Sequence, residues 1–227
     1  MIIILLAILA ALIFLPQWWV KRVLAHYEEP RDRYQGTGAQ LARHLLDRLG
    51  LEDVKVVRGE PGGDFYDPDK RCVSLGPSHH DTASLAAVTV AAHEVGHAIQ
   101  HADGYRPLIW RTRLVKALQK WQRFGVIMIA LMPVVLLGLR LPAAGLAMLI
   151  VGLATLASGI LVHLVTLPTE FDASFRRALP LLEKGGYLKT QDRPHARRIL
   201  TAAALTYVSA SLMGLVNVWW WLRILRP

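Results

Sequence analysis

A single cysteine, Cys72, stands in 227 residues, so no internal disulfide can form and the chain suits a reducing compartment. Nothing beside Cys72 marks an activated thiol, which leaves it an ordinary strand residue rather than a nucleophile. Acidic side chains are also scarce. Against 26 Lys and Arg there are only 17 Asp and Glu, giving a formal net charge of +9 and an isoelectric point near 10.0. Such a balance raises nucleic acid as a partner, but the cations flank apolar blocks, where a membrane explains them, so no nucleic-acid partner is expected. The first apolar block lacks the basic start and small-residue cleavage site of a secretory signal and is expected to be a retained anchor.

What the chain has in abundance is blocked hydrophobicity: 53% apolar residues and a mean hydropathy of +0.33. Four blocks, 2–19, 124–139, 143–167 and 199–222, approach the length of a membrane-spanning helix, the third interrupted only by His163. Between them, residues 21–123 carry 16 Lys and Arg and residues 168–198 carry 7, together 23 of the 26. Two spans separate these stretches, so both lie on one side, and the excess of cations makes that side cytoplasmic. Lys21, Arg22, Lys120, Arg123, Arg197 and Arg198, close to span ends, agree; Arg223 and Arg226 pull weakly the other way. All seven tryptophans, Trp18, Trp19, Trp110, Trp121 and Trp219 to Trp221, lie at or leading into span ends, where an indole finds both apolar and polar surroundings. The expected fold class is a predominantly α integral membrane protein, its bilayer partner met by four transmembrane helices.

The stretch 21–123 has room for a small α+β domain. Thr37 precedes an amphipathic run that Gly50 stops. Val54–Val57 alternates like a strand and leads into the Pro61-Gly62-Gly63 turn, and a second strand is expected around Arg71–Leu75, reached through Tyr66-Asp67-Pro68. From about Asp81 to Gly104 the pattern is helical and contains His93-Glu94-Val95-Gly96-His97. Residues four apart share a helix face, so His93 and His97 can grip one metal ion while Glu94 takes a proton from water beside it. His79 and His80, just before this helix, are expected to cap it or face solvent. The strand holding Cys72, Val73 and Ser74, with Tyr66 before it, could bind an extended peptide as an edge strand over the metal, or could only cover the helix.

The runs Ala91–His101, Leu167–Ser174 and Ala202–Val208 resemble the YugP-type membrane zinc metallopeptidases, as do the Tyr66-Asp67-Pro68 turn and the first span. More distantly the arrangement is similar to membrane gluzincins of the HtpX and Ste24 kind. The resemblance implies a zincin-like mini-domain, one zinc ion, a peptide or protein substrate, and a prokaryotic plasma (inner) membrane location. It also implies Glu170 as the third protein ligand. A catalytic zinc needs three protein ligands and an open position, and Glu170 falls on the same side of the membrane as the motif. Read from the residues alone, it could equally be a solvated carboxylate at a helix start. The more distant gluzincins carry, four residues after that Glu, an Asp that orients a zinc histidine. Here the position is Ser174, with Asp172 close by, so either of these could hold a ligand in place.

The expected activity is therefore zinc-dependent endopeptidase chemistry, with Glu94 as general base. Tyr207, His195, Arg177 and Tyr66 are candidates to stabilise the oxyanion. The competing reading is a membrane scaffold that binds zinc without catalysis, for which the ligands are needed and Glu94 is not.

Overall fold

The computed structural model describes residues 18–205, together with 11, 15 and 208. It is mostly helical, beginning with α1 (residues 18–27), and has one three-stranded sheet. Packing divides it into two units, one containing Trp110–Thr166 and the other the described residues of 14–109 and 167–206. The expected spans 2–19 and 199–222 fall largely outside the described residues.

Helix α5 (Arg106–Pro133), most of it in the first unit, runs on into a π-helical segment, Val134–Gly138, and α6 occupies Pro142–Phe171, its last turn in the second unit. Among the described residues one stretch, Arg106–Gly138, is long and apolar enough to cross a membrane by length and composition, and Pro142–Thr155 is a shorter apolar helix. All but the last residue of the expected span 124–139 lies inside the former. Val126, Ile127, Leu131, Val134 and Leu137 are all exposed, an apolar surface that water does not favour. The helix that contains the third expected span, 143–167, continues through Pro168 to Phe171.

The second unit is built around α4 (Leu85–Ala102), whose residues from Leu85 to Ala98 are nearly all buried. Small residues, Ala86, Ala87, Ala91, Ala92 and Gly96, let neighbours approach it on every side. It starts four residues later than the sequence pattern implies, because Ser84 accepts a bond from the Ala87 N–H and sets the N-terminus. The preceding Pro77–His80 forms a separate turn, α3. Against α4 lies α2 (Gly38–Arg48). Its capping box is complete: Thr37 Oγ1 accepts from the Gln40 N–H, and Gln40 Oε1 accepts from the Thr37 N–H. Gly50, at φ 68°, ends this segment as expected. Leu45 and Leu46 of α2, Val95 of α4, Leu182 of α7 (Leu179–Lys184), and Ile199 and Leu200 of α8 (residues 193–205) form the core.

The sheet corrects one expectation. Its order is β1 (Lys55–Arg58), β3 (Cys72–Leu75), β2 (Phe65–Asp67), with β3 parallel to β1 and antiparallel to β2. Cys72, Val73 and Ser74 therefore lie on the central strand, not an edge. All four residues of β3 are buried, and both of its backbone edges are already paired, so it cannot take an incoming peptide. Tyr66 does lie on an edge strand, β2. Burial raises the Cys72 thiol's pKa, as suits an inert packing residue. His79 departs from expectation too: it is 4% exposed, with Nδ1 2.9 Å from Asp64 Oδ2, while Asp64 Oδ1 accepts from the Gly76 N–H.

A second tie across the unit was invisible in the sequence. Asp192, fully buried, accepts both Nε and Nη2 of Arg33 and, at 2.6 Å, the hydroxyl of Tyr34. Hydrogen bonds from Arg33 hold its carboxyl below the ordinary range, against burial, with Tyr34 assisting. Removing one member of a buried pair leaves the other uncompensated, so Asp192→Asn is expected to cost about 3 kcal/mol at neutral pH. The folded pKa lies below the unfolded value of about 3.9, so this contribution is complete above that value and is lost as pH falls through the folded pKa. Chemical unfolding of both proteins between pH 7 and pH 3 checks it: the stability gap should narrow once the pH falls below about 3.9, and a pH-independent gap would contradict the ion-pair account.

Candidate metal centre

Helix α4 presents His93 and His97 one turn apart, their ring centroids 4.8 Å from each other and nearly perpendicular. Opposite them, the last turn of α6 supplies Glu170. Glu170 Oε2 stands 3.2 Å from His93 Nε2 and 3.4 Å from His97 Nε2. One donor atom from each of the three residues falls within 4.8 Å of the others, and all three residues are buried. Glu170 is 2% exposed, so the solvated-carboxylate alternative does not describe it. Burial alone pushes its carboxyl up. Charge on His97 and hydrogen bonds from His93 and His97 outweigh that and draw it well below the ordinary range, which keeps it anionic. Glu94, beside His93 on α4, is likewise buried, at 6% exposure.

The helix pair meets this closely because of one glycine. A Cβ on Gly96 would stand 2.8 Å from the carbonyl oxygen of Ala173, a backbone atom that cannot swing aside. Ala173 belongs to a π-helical segment, Asp172–Ala178, that continues α6. Such a turn places side chains differently from an α-helix and recurs at functional sites.

The π segment brings up the support for the two histidines. Ser174 Oγ lies 3.1 Å from His93 Nδ1, so the serine at the expected position does reach a metal-site histidine. Asp172 does not touch either histidine in this way. Its Oδ2 accepts from Gln100 Nε2 at 2.8 Å, and Gln100 Oε1 in turn lies 2.9 Å from His97 Nδ1. Gln100 was not singled out from the sequence, although its place three residues after His97, on the same helix face, is a usable signal. Arg177 donates to Asp172 at 2.8 Å and to Asp103 at 2.5 Å and lies over the Tyr105 ring, reaching the centre only through these partners. Tyr66 bonds His101 Nδ1 at 2.8 Å, and burial pushes its hydroxyl up to about 12. His195 is exposed and holds the hydroxyl of Tyr27 at 2.8 Å. Tyr207 lies outside the described residues.

The cluster fits a zinc ion. Ligands about 2.0–2.1 Å from zinc at tetrahedral angles stand about 3.3–3.4 Å apart, and the two carboxylate–imidazole separations match that edge. Both histidines have Nδ1 engaged elsewhere, leaving Nε2 to face the ion.

Residues 2–226 match the model of a family described as "Putative neutral zinc metallopeptidase". The chain belongs to this family. Among curated relatives of these zinc metallopeptidases, "Putative membrane protease YugP" of Bacillus subtilis (strain 168) is 36% identical over 209 residues, covering 90% of this chain and 88% of the relative. No solved structure matches it significantly. Membership of the neutral zinc metallopeptidase family agrees with a three-donor site of two histidines and a carboxylate.

Proposed function

We propose that the protein is a membrane-embedded zinc endopeptidase of gluzincin type, with His93, His97 and Glu170 as the ligands of one zinc ion and Glu94 as general base. The observation that carries this reading is the pair of Oε2–Nε2 separations, 3.2 and 3.4 Å, which leave room for a tetrahedral ion between three buried donors. Bound there, zinc supplies a Lewis acid that acidifies water and polarises a scissile carbonyl.

The chain's own residues do the rest. The Glu94 carboxylate takes a proton from the attacking water and delivers it to the leaving amine nitrogen. Ser174 and Gln100 hold the imidazoles so that Nε2 of each points into the site. The edge of β2, tied to α4 through Tyr66 and His101, replaces β3 as the strand on which an extended substrate would align.

The family name supports the peptidase reading, and the relative's name supports a membrane setting. The charge pattern supports four spans with the site on the cytoplasmic side. A reporter fused after residue 140 should therefore read as external. A cytoplasmic reading there would overturn the orientation.

Metal dependence tests the chemistry directly. Detergent-solubilised protein holding one equivalent of zinc should cleave an unstructured protein such as casein. Activity should vanish on treatment with 1,10-phenanthroline and return with added zinc. Cleavage indifferent to the chelator would rule out this mechanism.

A further inference from the structure

Gln100 is fully buried, and its amide is engaged at both ends. Nε2 stands 2.8 Å from the carbonyl oxygen of Thr169 and 2.8 Å from Asp172 Oδ2, while Oε1 stands 2.9 Å from His97 Nδ1. A carbonyl and a carboxylate only accept, so the NH2 must face them and the amide oxygen must face the imidazole. Arg177, donating from Nε to the same Asp172 oxygen at 2.8 Å, keeps that carboxylate an acceptor. The orientation of the amide is thus set by three partners at once.

The geometry points to Gln100 as the positioning residue of the metal centre, fixing both the tautomer of His97 and the spacing between His97 and Glu170. The first role follows from proton placement. An amide oxygen accepts and cannot donate, so His97 keeps a hydrogen on Nδ1, and Nε2 is the nitrogen that can offer a lone pair to a metal. His93 differs, since Ser174 Oγ can donate or accept and imposes no tautomer. The second role follows from where the amide is anchored. His97 comes from α4, whereas Thr169 directly precedes Glu170 and Asp172 follows it by two. One side chain therefore clamps the helix bearing two ligands to the turn bearing the third, across 69 to 72 residues of chain.

This inference rests on the zinc reading above, and the experiment separates the two. Zinc affinity of the full chain in detergent is measured by chelator competition for wild type, Gln100→Leu and Gln100→Met. Methionine keeps the length of the glutamine side chain and fills its space but gives His97 Nδ1 no comparable acceptor. We expect both variants to bind zinc about 10–100-fold more weakly than wild type. Wild-type affinity in Gln100→Leu overturns the inference. So does wild-type affinity in Gln100→Met, since the amide would then only fill space. Should neither variant fold, proton NMR of the zinc-loaded wild type decides: a His97 Nδ1–H that exchanges slowly with water supports the role, and a rapidly exchanging one overturns it. A wild-type protein that takes up no zinc overturns both readings, whereas zinc-binding wild type beside an unaffected Gln100→Leu overturns only this one.

Discussion

Replacing Glu94 by glutamine is expected to lower kcat/KM for peptide hydrolysis by about 10³-fold while zinc stays bound at one equivalent. Glutamine keeps the size and most of the hydrogen-bonding capacity of the side chain, so α4 and its packing should survive. What it loses is the ability to hold a proton taken from water. Because Glu94 is not among the three donors that converge, metal uptake should not follow activity. A fluorogenic peptide assay alongside metal analysis measures both quantities on one preparation. If the variant hydrolyses peptide at the wild-type rate with zinc bound, another group is the base. If wild type binds zinc yet cuts no peptide, the non-catalytic scaffold becomes the better description.

Glu170→Ala should do the reverse and strike metal binding first. Sharing about 10–16 kcal/mol of zinc binding among four ligands assigns about 3 kcal/mol to each, so affinity should fall by about 10²–10³-fold. Hydrolysis then disappears at limiting zinc and recovers in part when zinc is raised. A Glu170→Ala protein with undiminished zinc affinity would show that the third ligand lies elsewhere. The two carboxylates thus separate chemistry from binding, and neither variant alone does so.

Much of this site was legible because it is local. His93, Glu94 and His97 sit within one and a half turns of a helix, and the Thr37 cap and Gly50 stop are short-range patterns. The features that escaped depend on chain brought back from far away. Gln100 meets Asp172 across 72 residues, and Arg33 meets Asp192 across 159. His79 is buried because Asp64 and Gly76 fold over it, which no neighbouring residue announces. Strand order failed for a different reason. A short, mostly apolar run such as Cys72–Leu75 fits a central strand or a half-covered edge equally well, and the parallel pairing with β1 decides between them.

The close seating of α4 on Ala173 bears on how such motifs are searched for. In the pattern His-Glu-x-x-His the two middle positions are written as free, and a scan would score alanine at position 96 as a full match. In this chain that methyl would meet a backbone carbonyl at 2.8 Å, between the histidines and the turn that brings Glu170 and Ser174 to them. For a sequence of this kind, the smallest letter in the motif is therefore the one that tells whether the distant carboxylate can arrive.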